Sequence, residues 1–91
     1  MDDLLKRLSD DEPLIQLEAA RALVGIGAGA KALPVVRELL TNPDQIIQLR
    51  AALVVDEGQL LKTNPDLLQP LKRIRGSYAK RVVERIMKTQ N

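Results

Sequence analysis

Residues 9–20, SDDEPLIQLEAA, return as residues 41–52, TNPDQIIQLRAA, thirty-two positions later and without a gap. Ile15, Gln16, Leu17, Ala19 and Ala20 recur as Ile47, Gln48, Leu49, Ala51 and Ala52, while Leu4, Leu8 and Leu14 meet Val36, Leu40 and Ile46 in kind. A period of this size holds two short helices and the turns that join them. One such unit cannot bury its apolar face alone, so successive units must stack, and the architecture this predicts is an all-α solenoid. Ninety-one residues leave room for one domain of about three helix pairs, with units at about 2–30, 31–62 and 63–91.

Composition narrows the chemistry. A chain this short buries only roughly 60–65% of the surface that its unfolded form exposes. With one Tyr and no Phe or Trp, its core must come from Leu, Ile, Val and Ala. The absence of Cys excludes disulfides and thiolate chemistry, and the absence of His removes the commonest general base and the usual nitrogen ligand of zinc. The longest apolar run, residues 51–55, is far too short to span a bilayer, and Met1, Asp2 and Asp3 carry the wrong charge for a secretory leader. These features predict a soluble cytoplasmic protein without membrane span, metal or cofactor.

Along the chain, apolar spacing and cap residues predict six helices. The first covers residues 2–8, with Leu4, Leu5 and Leu8 on one edge. An acidic turn and Pro13 then start a helix reaching about residue 26, apolar nearly all round, with Leu14, Leu17 and Val24 on one side and Ile15, Ala19, Ala22 and Ile26 on another. Such a helix should be sandwiched between neighbours. Gly25, Gly27 and Gly29 end it, and a third helix covers residues 31–40 with Leu33, Val36 and Leu40 facing inward. Asn42 and Pro43 read as cap and first residue of a fourth helix, which Gly58 should weaken or kink. The tetrapeptide at 63–66 is identical to that at 41–44 and predicts the same capping chemistry before a fifth helix, which Pro70 should shorten. The last helix, from Tyr78 to about Thr89, is amphipathic where its repeat partners are nearly apolar, as a terminal capping unit requires.

The run ALVGIGAGAKALPVVRELL at residues 22–40, lying between two copies of the pattern I-Q-L-x-A-A, resembles the HEAT-like repeats of the phycobilisome-lyase type. The resemblance covers two units well and the third, residues 65–87, more loosely. It implies a right-handed superhelix of helix pairs whose second helices, around Gln16, Gln48 and Lys80, line the concave side. It leaves function open, because such repeats serve as scaffolds, enzyme adaptors, bilin lyase subunits and nucleic-acid binders.

Charge is distributed unevenly. From Lys72 onward there are seven Lys or Arg and one acid, Glu84, whereas acids dominate the first stretch. Lys72, Arg73, Arg75, Lys80, Arg81, Arg85 and Lys88 come from two successive helices and form the strongest candidate surface, one for an acidic protein partner or for phosphates. Tyr78 is the sole aromatic platform for a base, which favours protein over nucleic acid. Gln16, Glu18, Gln48 and Arg50 form a candidate polar strip on the concave side, although both glutamines equally suit hydrogen bonds to neighbouring loops. Glu18, Arg21 and Arg50 are the only groups near that side for a lyase role.

The remaining constellations read as structural. Gly25, Gly27 and Ala30 match a relaxed dinucleotide fingerprint but follow a helix, where the fingerprint needs a strand. Asp10, Asp11 and Glu12 precede a helix as ordinary caps, and Asp56 and Glu57, adjacent on a helix, cannot converge on one point. Self-association through the two end units is a further expectation. The reading as a whole is a non-catalytic scaffold or adaptor for a protein partner, with nucleic-acid binding and a bilin lyase or lyase-adaptor role as the alternatives.

Overall fold

The computed structural model describes residues 2–90; Met1, used in the leader argument, and Asn91, the end of the third unit, lie outside the described residues. Among the described residues the chain is all α-helical, in the order α1 (Asp2–Leu8), α2 (Pro13–Gly25), α3 (Leu33–Leu40), α4 (Gln45–Gly58), α5 (Leu60–Thr63), α6 (Leu68–Lys72) and α7 (Ser77–Gln90), with single 3-10 turns at Gly29–Ala32 and Pro65–Leu67. Helices α1 and α2, α3 and α4, and α6 and α7 form the three pairs of a solenoid, and α2, α4 and α7 pack side by side along it. The molecule measures 34 × 25 × 18 Å. Its shortest dimension leaves room for two layers of helices, each about 10 Å across.

The repeat register decides what is buried. Counting in steps of thirty-two, Ile47, Ala51 and Val54 of α4 and Ala79, Val83 and Ile86 of α7 are buried. Their counterparts in α2 are Ile15, Ala19 and Ala22, of which Ile15 and Ala22 stay half-buried. The sandwiching expected of α2 is therefore one-sided. Ile26 is 60% exposed, and Leu14 is 48% exposed on the face turned away from the core. On the opposite flank, the positions held by Leu17, Ala20 and Val24 in α2 carry Arg81, Glu84 and Lys88 in α7, all three exposed. Charge thus replaces apolar stacking side chains on α7, the substitution a capping unit needs.

Helix ends explain the loops. Pro13 is the first residue of α2, but Glu12 before it makes no side-chain cap bond; the Asp10 carboxylate accepts from the Glu12 N–H at 2.8 Å. Thirty-two residues on, Asn42 Oδ1 accepts from the Asp44 N–H at 2.9 Å, and Asp44 itself caps α4 by accepting from the Ile46 N–H at 2.9 Å. Asp44, not Asn42, is thus the cap; Asn42 lies two residues ahead of it, and Pro43 lies outside the helix. The second copy of the tetrapeptide is wired differently. Asn64 gives its side-chain N–H groups to the Leu60 carbonyl and the Thr63 hydroxyl, closing α5 behind it instead of opening a helix ahead. Only the threonines behave alike, Thr41 and Thr63 each donating to the carbonyl three residues back.

Gly58 ends α4 outright. Gln59 follows in the left-handed region at φ 49°, the position that Gly27 holds at φ 80° in the first unit. A Cβ on Gly58 would lie 2.9 Å from Val24 Cγ2, so this glycine lets the ends of α2 and α4 approach. Pro70 falls within α6, which is only five residues long and is preceded by the 3-10 turn, in keeping with a shortened helix.

Candidate functional site

Three surfaces hold the residues singled out by the sequence, and the structure separates groups that the sequence joined. Lys72 closes α6, Arg73 and Arg75 lie in the connection that follows, and Lys80, Arg81, Arg85 and Lys88 are on α7; all are exposed. Arg85 turns toward the neighbouring pair and binds Asp56 of α4, Nη2 to Oδ2 at 2.6 Å. The other six cations make no ion pair or side-chain hydrogen bond among the described residues. Lys72 and Lys80 flank a shallow cleft of ≈ 170 Å³ between α6 and α7, floored by Leu71, Ile74, Val83 and Met87, with Glu84 beside them. Arg81 and Lys88 share the outer face of α7, two turns apart.

The strip expected on the concave side divides into two pairs with different roles. Gln16 Nε2 donates to the Leu8 carbonyl at 2.9 Å, and Gln48 Nε2 donates to the Asn42 carbonyl at 2.6 Å. Both amides hold the turn preceding their own helix, because its backbone carbonyls are left without helical partners. Glu18 and Arg50 instead line an open groove of ≈ 610 Å³ between α2 and α4. Its apolar wall is Leu14, Leu17, Ile46, Leu49 and Leu53, and Arg21 pairs across it with Glu57, Nε to Oε2 at 3.4 Å. Glu18 and Arg50, of opposite sign and at the same repeat position, have no ion pair among the described residues.

Asp56 and Glu57 point to different arginines, Arg85 and Arg21, as adjacent positions on a helix require. Among the described residues no cluster of acids could hold a metal ion, and no helix is long and apolar enough to cross a membrane.

Two features escaped the sequence reading. Gln90 is buried at the end of α7: its Oε1 accepts from the Leu61 N–H at 2.9 Å, and its Nε2 donates to the Val55 carbonyl at 3.2 Å. It thereby serves backbone groups freed where α4 breaks at Gly58. Position 90 has no polar counterpart thirty-two residues earlier, so the repeat gave no signal. The second feature had one. Leu14, Ile46 and Tyr78 hold one repeat position, each the second residue of its helix, and are 48%, 61% and 60% exposed. A large apolar side chain kept on the surface by every unit is legible in the register once exposure is known.

Comparison with known proteins agrees with the fold. A family profile of HEAT repeats matches residues 1–87. No curated protein and no solved structure matches the chain.

Proposed function

The chain belongs to the HEAT repeats, and from that premise we propose that it is a small non-catalytic scaffold or adaptor that docks a protein partner, with the basic end of α6 and α7 as its contact surface. The whole chain acts as one domain, its units at about 2–30, 31–62 and 63–91, and its repeats are of the phycobilisome-lyase type. The observation that carries the reading is the set of six exposed cations, Lys72, Arg73, Arg75, Lys80, Arg81 and Lys88, gathered at one end of the stack and without an ion pair among the described residues. A concentration of one sign on a rigid end face draws an acidic surface by long-range attraction and fixes its orientation. Protein is favoured over nucleic acid because Tyr78 is the single aromatic group in reach of a base and Glu84 interrupts the patch. A lyase role is disfavoured because Arg21, one of three groups available to it, is held by Glu57.

The test is a pull-down from native lysate with and without nuclease, comparing the native chain with an Arg81→Glu, Lys88→Glu variant. Arg85 is left alone, since its reversal would set two acids against each other at Asp56. A defined protein that survives nuclease and is lost with the variant is the expected result. Recovery that vanishes with nuclease would move the assignment to nucleic acid.

A further inference from the structure

Within the basic end, we propose that the cleft between α6 and α7 receives one apolar side chain from an acidic segment of the partner, whose carboxylates lie toward the α6–α7 connection. The inference rests on the scaffold reading and gives that same surface a pocket, a direction and a partner chemistry.

The repeat register accounts for the cleft. Gln16 and Gln48 reach back to the carbonyls of Leu8 and Asn42 and close the turn before their helix. In the third unit the same position holds Lys80, and the positions of Leu8 and Asn42 hold Lys72 and Ile74. All three line the cleft. Lys80 makes no ion pair or side-chain hydrogen bond among the described residues, so a place that an amide closes in the first two units stays open in the third. Ala52 and Val55, fully buried in α4, are replaced in α7 by Glu84, which is exposed, and Met87, which is half-buried. The third unit thus turns a covered face into an accessible one lined by charge.

Size and charge define the occupant. At ≈ 170 Å³ the cleft is well below the roughly 300–1,000 Å³ that holds a cofactor or drug-sized ligand, and it suits a single side chain. Its floor of Leu71, Ile74 and Val83 is buried and fixed, while Met87, unbranched and adaptable, adjusts the fit. The short connection at residues 73–76 brings the end of α6 beside the start of α7, so Lys72 and Lys80 stand at the connection end of the cleft. Glu84 is one helical turn farther along α7. A carboxylate on the connection side of the anchor is therefore attracted, and one on the far side is repelled. A chain of phosphates would cross both ends and meet Glu84 whichever way it ran. Exposed charges contribute little affinity, so the anchor supplies the affinity and the flanking charge the orientation.

Phage display of random 12-residue peptides, panned against the full chain, tests this directly. Enriched sequences should share one apolar position with acids on one side of it. Replacing that apolar residue by Ser in the selected peptide should weaken binding about tenfold, as should Lys72→Glu with Lys80→Glu in the protein. A second acid placed on the far side of the anchor should weaken binding to the native chain and not to Glu84→Gln. The chain has two methionines, so a methyl-labelled sample, assigned with Met87→Leu, gives one resonance in the cleft, which the peptide should shift. Acid-rich peptides indifferent to the Ser replacement, or an unmoved Met87 methyl, would sink the pocket while leaving a basic face that binds by charge alone. A selection that enriches nothing would also overturn the proposal. A pull-down that yields only nuclease-sensitive material would sink the scaffold reading itself.

Discussion

A single buried side chain, Gln90, measures how far one residue can matter in so small a core. Its amide joins the N–H of Leu61 to the carbonyl of Val55, two backbone groups that a continuous helix would have satisfied internally. Replacing it by Ala leaves the buried Leu61 N–H without a partner, while the Val55 carbonyl keeps the Gln59 N–H. A buried group without its hydrogen bond costs about 1–3 kcal/mol, a large share of the total for a domain of this size. Urea unfolding of Gln90→Ala should therefore show a midpoint lowered by an amount of that order with unchanged slope; an unaltered midpoint would mean that water serves that N–H. Gln16 and Gln48 illustrate what the sequence could and could not convey. Their recurrence announced a shared role, and their spacing suited either a ligand strip or a bond to a loop. Which of the two holds depends on how each turn folds back, and the amides are in fact bonded to Leu8 and Asn42. Gln90 was beyond reach, because its partners become available only where another helix breaks.

At the level of helices, the pairing of α2 with α4 was readable from the repeat, and its closest approach was not. The sequence identified Gly58 as a weak point in a helix. In the structure it is a point of contact, with Val24 so near that a methyl group would meet Cγ2 at 2.9 Å. Two effects of Gly58→Ala compete. Ala favours a helix over Gly by about 1 kcal/mol, whereas overpacking costs about 1–3 kcal/mol. Val24 is β-branched and confined to one rotamer in a helix, so it cannot swing aside cheaply, and overpacking wins. Gly58→Ala should destabilise the chain, and the same change in a Val24→Ala background should be neutral or stabilising. A double-mutant cycle in urea gives the coupling directly; additive effects would place the contact elsewhere. The exposed ends of α2 follow the same logic. Helical periodicity marks Leu14 and Ile26 as apolar without saying whether a neighbour exists to cover them, and that depends on which units flank α2. For the basic helices the sequence located every cation, but only the packing of α7 on α4 revealed that Arg85 belongs to Asp56.

For the molecule as a whole, what holds the stack also determines how it comes apart. The ion pairs Arg21–Glu57, Arg37–Asp66 and Arg85–Asp56 each tie one unit to the next, yet all involve exposed groups. Pairs of that kind contribute only about 0.2–1 kcal/mol each. Cohesion must come from the apolar interior, and this is concentrated on α4, which touches α2, α3, α5 and α7 and buries Ala51, Ala52, Val54 and Val55 completely. Helix α1, by contrast, rests chiefly on α2, and α6 is five residues long. In a solenoid each unit is stabilised by its neighbours alone, so the central pair gains from both sides and the end pairs from one. Native-state hydrogen exchange should accordingly be slowest for the amides of residues 51–55 and for Leu23, which open only with the whole fold. It should be faster in α1 and around α6, which can open locally. Moderate salt should leave this order unchanged, since it screens the exposed pairs and not the core. Uniform protection across all helices would mean that three units suffice for a single cooperative block. Protection highest in α7 would shift the centre of stability to the basic end, making that end the foundation of the stack instead of its cap.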